Sequence, residues 1–237
     1  MKVIEPPVSM ARCRGLWRRT LLIEADGTSD RRTDVRWLQG HTRFVDLRRP
    51  APRPDFGGVR CKAELGAQQQ DWLIRQDGFA GELTQSGDVF HWQRHIELHP
   101  PGPFPDEGRM SLSADVLVEK GVHADYVEHW TRDTDPGACW ALDMASDTGG
   151  RALLLRVGDM FGWARFDPSG GVELSLGDVT DDEWMLTDST LPYRERRTLA
   201  PRWHTPGRVL HTDDIDDIGT PITRTWLTTY TEGLPTL

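Results

Sequence analysis

An antiparallel, mainly β fold is predicted by three features of the chain. Short runs of alternating apolar and polar residues recur along its 237 residues, Gly- and Pro-rich turns separate them, and only one stretch is built of good helix formers. Such a pattern indicates barrels or sandwiches rather than a parallel α/β sheet. A chain of this length buries roughly 70% of the surface its unfolded form exposes, so a true core is expected.

Following a proline-marked tail, residues 16–25 alternate Trp17, Arg19, Leu21 and Ile23 against Leu16, Arg18, Thr20 and Leu22 and then meet the Asp26-Gly27 turn. The basic cluster from Arg12 to Arg19 is read as a solvated strand face. Residues 31–49 read as two strands folded back on each other at Gln39-Gly40-His41. In the second of them, period two puts Thr42, Phe44, Asp46 and Arg48 on one face and Arg43, Val45 and Leu47 on the other. Both faces mix apolar and charged residues, so this strand is expected to bury a carboxylate with a guanidinium, or to line something wet. Three prolines within residues 50–54 forbid a central strand and predict a loop.

Residues 61–76, rich in Ala, Glu, Lys and Gln, predict a helix with Leu65, Trp72 and Leu73 turned inward. Gly78 and Gly81 mark a corner leading to a strand over 82–85, a turn at Ser86-Gly87-Asp88, and a strand over 89–98 whose core face is Phe90, Trp92, Arg94, Ile96 and Leu98. A second proline loop spans 100–105. A strand over 111–119 places Leu112, Ala114, Val116 and Val118 opposite Ser, Asp and Glu, and turns at Lys120-Gly121. Residues 126–132 put Tyr126, Glu128, Trp130 and Arg132 on one face.

The polar stretch 133–137 is the best boundary between two halves. Beyond it, strands are predicted over 138–144, 151–157, 161–166, 172–176, 208–212 and 223–231, with turns at Thr148-Gly149-Gly150, Gly158-Asp159 and Ser169-Gly170-Gly171. The acidic run 181–188 is predicted as a short helix or loop.

Composition narrows the function classes. A net charge of −9 argues against a general nucleic-acid binder, whose affinity comes mostly from phosphate neutralisation. No apolar run approaches the ~18 residues of a membrane span, and the N-terminus lacks a secretory apolar core, so a cytoplasmic protein that neither enters membranes nor binds nucleic acid is expected. Cys13, Cys61 and Cys139 are odd in number and far apart, as expected of reduced thiols. The ten Trp, against three Tyr, predict large rings packed into barrel interiors or cavity walls.

No metal or cofactor is expected. His91, His95 and His99 share a strand face, but residues four apart on a strand stand about 13 Å apart, too far for chelation. GxSxG, P-loop and GxGxxG motifs are absent, which removes motif support for acyl transfer, nucleotide hydrolysis and dinucleotide binding. The candidate site is the set of charged groups on aromatic strand faces: Asp46, Arg48, Arg94 and Glu128, with Trp37, Phe44, Trp92 and Trp130. Such a set is either a self-satisfied ion network fixing barrel register or a pocket that orients a ligand, and an Arg within it would suit an anion.

The succession RTDVRWLQGHTRFVDLRRP, GFAG, FHWQRHIELHPPGPFPDEG, VLVEKGV and DYVEHWTRD, over residues 16–132, resembles an uncharacterised fungal and bacterial family with a lipocalin-like fold, whose yeast representative is known as a casein-kinase-interacting protein. The resemblance implies one or two calycin-like antiparallel barrels and no assigned catalytic residue. The boundary at 133–137 divides the chain into a first barrel over 12–133 and a second barrel-like half over 138–237, unless the latter completes one larger barrel. Three functions stay open: a binding protein for a small, partly apolar molecule, anionic or neutral; an enzyme using Glu128 or Asp46 as base with Arg48 or Arg94 stabilising negative charge; and a protein-interaction module with a solid core, its partner unknown.

Overall fold

The computed structural model describes residues 8–113, 115–134, 137–169 and 171–237. The first seven residues of the proline-marked tail, Ala114, Asp135 and Pro136 of the expected boundary, and Gly170 lie outside them. After a single helical turn α1 (Met10–Cys13), alternation gives β1 (Gly15–Ile23), β2 (Ser29–Asp30), β3 (Asp34–Gln39), β4 (Arg43–Arg49), β5 (Asp77–Ser86), β6 (Val89–Glu97), β7 (Glu107–Ser113), β8 (Val116–Gly121) and β9 (Val127–Thr134). These pair antiparallel in the order β2-β1-β3-β4-β5-β6-β7-β8-β9, and β1 also pairs with β9, so the sheet closes into a barrel.

A second sheet contains β10 (Cys139–Ala145), β11 (Arg151–Val157), β12 (Met160–Asp167), β13 (Gly171–Thr180), β14 (Glu183–Ser189), β15 (Arg202–Thr205), β16 (Val209–Ile215) and β17 (Pro221–Glu232), in the order β14-β13-β12-β11-β10-β17-β16-β15. A short strap spans its gap. The Leu186 N–H donates to Arg197 O and the Leu199 N–H to Trp184 O, both at 2.9 Å, while the Asp213 N–H reaches Leu199 O at 2.8 Å.

Each sheet encloses its own aromatic core. Trp17, Trp37, Trp92 and Trp130 pack in the first, and Trp140, Trp163, Trp184 and Trp226 in the second. A third apolar layer lies between the sheets, where Leu16, Leu38, Val45, Leu47 and Ile96 meet Leu153, Leu155, Leu174 and Leu176. The strand β4 therefore serves two cores. Its face of Phe44, Asp46 and Arg48 looks into the first barrel, and the face of Val45 and Leu47 looks onto the second sheet. Arg43 and Arg49 clamp the two ends of that outer face: Arg43 Nη2 lies 2.8 Å from Asp143 and Arg49 Nη2 2.5 Å from Asp188.

Several sequence expectations need correction. The helix over 61–76 is a 3-10 turn at Lys62–Glu64 followed by α2 (Ala67–Ile74), because Gly66 is extended and caps the helix with its N–H donating to Gln69 Oε1 at 2.9 Å. Trp72 is fully buried beneath it, its indole donating to Pro50 O. The acidic run 181–188 is a hairpin arm: Asp181 and Asp182 adopt φ of 49° and 64°, a turn Asp tolerates, and Trp184 and Leu186 then point inward on β14. The strand over 111–119 is two strands, the chain reversing between Ser113 and Val116 so that Leu112 opposes Leu117. This reversal changes which residues of 116–119 face inward.

In β6 an extra residue at His95 shifts register, pairing Gly81 with Arg94 but Ala80 with Ile96. Ile96 consequently leaves the face of Arg94 and joins the layer between the sheets. Only glycine fits at position 81, where a Cβ would stand 1.9 Å from Gln93 O. Arg19, taken as part of a solvated face, is buried inside the barrel.

Leu47→Ala, which opens a void in the layer shared by the two sheets, is expected to lower stability by about 2–5 kcal/mol. A urea midpoint that does not move would show that the layer contributes nothing.

Candidate functional site

Trp37 on β3 lies opposite Asp46 on β4, and Asp46 lies opposite Phe79 on β5, so three neighbouring strands place an indole, a carboxylate and a phenyl ring side by side. They form part of the wall of a cavity of about 180 Å³ at one end of the first barrel. Of the sequence-predicted residues, Trp37, Asp46, Arg48, Trp92, Arg94, Glu128 and Trp130 line it. Phe44 does not. It is fully buried in the aromatic core, its ring edge-on to Phe79 at 6.0 Å.

Asp46 is buried and accepts from Arg48 Nε at 2.8 Å, the carboxylate–guanidinium pair expected from the mixed strand face. Burial pushes its carboxyl above the usual range, although the Arg48 guanidinium pulls the other way. Arg94 stacks 3.6 Å from the Phe79 ring centre and donates to Asp106 at 2.6 Å. Glu128 is held by the buried Arg19, at 2.6 Å. Each lining guanidinium is thus already engaged.

The site also contains residues that periodicity missed. Glu119 on β8 lies directly opposite Glu128 on β9, both inside the barrel, and like charges so opposed repel. Arg19 neutralises one member of the pair only. Glu119 has no salt-bridge partner among the described residues, and its one hydrogen-bond donor among them is Tyr126 Oη at 2.9 Å. Burial, and then the neighbouring Glu128 charge, push the Glu119 carboxyl well above the ordinary range. Gly108 makes room for it: a Cβ there would stand 2.9 Å from Glu119 Cγ. The sequence signal was the glycine in Glu107-Gly108-Arg109, which is unusual inside a strand and marks a close approach. Beyond Trp92, Arg94, Asp106 and Tyr126 the cavity adjoins a groove of about 380 Å³ under the proline loop.

The second barrel places ions at its interior too, but in balance. Glu173 receives Arg165 at 2.8 Å and Arg194 at 3.2 Å, Asp214 receives the same two arginines at 3.2 and 3.1 Å, and Arg224 joins Asp214 to Asp167. Burial would raise Glu173, yet the two guanidiniums hold it down at about 2. Three arginines face three carboxylates there.

Fold and site together define a class: a two-sheet antiparallel β-barrel protein with a polar-lined cavity in its first barrel. The chain is similar in structure to the uncharacterized protein YLR301w of Saccharomyces cerevisiae, with a TM-score of 0.54 and 11% identity over 92% of this chain and 98% of that one. At that identity the likeness is one of fold. No family model and no curated protein matches the chain, and no helix among the described residues is long and apolar enough to cross a membrane.

Asp46→Ala leaves Arg48 without its carboxylate in the barrel wall and is expected to cost about 3 kcal/mol, read from the urea midpoint. Glu119 supplies a pH signature. Between the ordinary carboxyl pKa and its raised folded value, the folded protein holds a proton that the unfolded chain has lost, so stability falls as pH rises through that window. Glu119→Gln should remove this component, leaving the variant more stable relative to wild type at pH 8 than at pH 4. Parallel urea curves at the two pH values would refute it.

Proposed function

We propose that the chain is a cytoplasmic binding protein of the lipocalin-like family whose first barrel, over residues 12–133, holds one small, partly apolar molecule, while the half over 138–237 supports it. The observation that carries this reading is the cavity of about 180 Å³ lined by Trp37, Trp92 and Trp130 together with convergent polar groups. Barrels of about eight strands leave room for one small ligand, and aromatic walls with a few fixed polar groups are what such a ligand needs. The sequence resemblance over residues 16–132 and the fold shared with the yeast protein support the family placement.

Proton-transfer chemistry is the second reading, favoured by one observation: a carboxyl raised in pKa and facing an open cavity. Glu119 takes the role of acid or base that was expected of Glu128 or Asp46, since those two are each engaged by an arginine. The solid-core interaction module has least support, because the first barrel is not filled.

Ligand entry beside three indoles should quench intrinsic fluorescence saturably and raise Tm, since a guest at about a hundred times its Kd stabilises by about 2.7 kcal/mol. A panel of small aromatic and aliphatic compounds, charged and neutral, tests this. Absence of both saturable quenching and a Tm shift across the panel would overturn the binding reading. A Glu119→Gln variant that binds a panel compound but no longer converts it would favour the enzyme.

A further inference from the structure

The charge pattern of the cavity specifies its guest further, on the premise that the cavity is a binding site. Five lining residues carry carboxyls, Glu24, Asp46, Asp106, Glu119 and Glu128, and two carry guanidiniums, Arg48 and Arg94. Both guanidiniums are spent on carboxylates within 2.8 Å, and Arg19 behind the wall is spent on Glu128 and Asp30. Among the described residues, an anion entering here would meet no free cation, because each lining guanidinium is already paired, while Glu24 and an ionised Glu119 have no cation of their own. The expectation of an anionic ligand, drawn from arginines visible in sequence, loses its basis once their partners are placed.

Two lining groups lack what they need. The Glu119 carboxyl, buried opposite Glu128, has a phenol for company but no cation. Trp130 Nε1 is buried and has no hydrogen-bond partner among the described residues. The groups that face Glu119 are Glu128 from β9, Tyr126 from the turn before it, Asp106 from the loop before β7, Arg48 from β4 and, farther back, the buried Cys13 thiol of α1. Arg48 is the one cation among them, and Asp46 engages it.

We propose that the first-barrel cavity binds a protonated amine carried on a single small apolar ring, with the ammonium on Glu119 and the ring among Trp37, Trp92 and Trp130. The volume suits that size, since a cavity of about 150 Å³ accommodates benzene. Indole faces add cation–π attraction to the ammonium. To pair with the ammonium Glu119 must be a carboxylate, so the proton that its raised carboxyl retains passes to solvent on binding and the N–H···O contact replaces the O–H. The raised Glu119 carboxyl supports this linkage.

Benzylamine, benzyl alcohol and benzoate, matched in shape and differing in charge, test the proposal by calorimetric and fluorescence titration of the full chain at pH 7. Benzylamine should bind at least about tenfold more tightly than the alcohol, a difference of about 1.4 kcal/mol, with benzoate weaker still. Its heat of binding should vary with the buffer's ionisation heat in the sense of proton release. Glu119→Gln should abolish the preference for benzylamine, so that the amine and the alcohol bind with equal affinity. The wild-type series decides the matter even if that variant fails to fold. If the alcohol or benzoate equals or exceeds benzylamine, the amine assignment falls while the cavity stands as a binding site. Should none of the three bind, the amine assignment falls, and the wider panel decides the cavity reading separately.

Discussion

Everything in the molecule depends on β4 being buried on both faces. Its inner side carries the Asp46–Arg48 pair into the first barrel, and its outer side lays Val45 and Leu47 on the second sheet between the Arg43 and Arg49 clamps. A slip of one residue would drive Asp46 against Leu153 and Leu174 and turn Val45 and Leu47 into the cavity wall. The slip would also part Arg43 and Arg49 from Asp143 and Asp188 on the second sheet, and a buried ion left without its partner costs several kcal/mol, so these clamps hold the register together with the apolar face.

The two barrels solve the same packing problem with opposite electrostatic outcomes. Each fills one end with four tryptophans and places ions toward the other. In the second, Glu173 and Asp214 each bridge the same pair of arginines, and Arg224 completes the set with Asp167. In the first, Glu119 and Glu128 face each other across a strand pair with Arg19 serving only Glu128. One interior is a closed network and the other retains an unmet need, and the unmet need lies in the wall of the cavity.

Much of this was legible in the sequence wherever period two holds without interruption. Phe44, Asp46 and Arg48, and likewise Glu128 and Trp130, share inner faces as their alternation implies. Legibility failed where a local backbone event resets the period. The extra residue at His95 moved Ile96 to the other face, and the unmarked reversal after Ser113 moved Glu119 from an assumed outer face to the inside. Asp181-Asp182 reads by composition as solvated helix or loop, and only its positive φ reveals a hairpin. Charge partnership was the least legible layer. Arg19 and Glu128 are 109 residues apart, so the run from Arg12 to Arg19 reads as a solvated face although Arg19 is buried against its carboxylate.

The two barrels are also closed by different means. The first is fastened along the length of β1 and β9, whereas the second is fastened by the three residues from Arg197 to Leu199, which reach β14 on one side and β16 on the other. That strap begins and ends at backbone turned to positive φ, at Arg196 and Ala200. A fastening so short is a seam: it can part by giving up a few hydrogen bonds while every long strand pair of the sheet stays intact. A local opening of the second barrel would run along that one line of its circumference, beside which Trp184, Leu199 and Leu210 pack in the core.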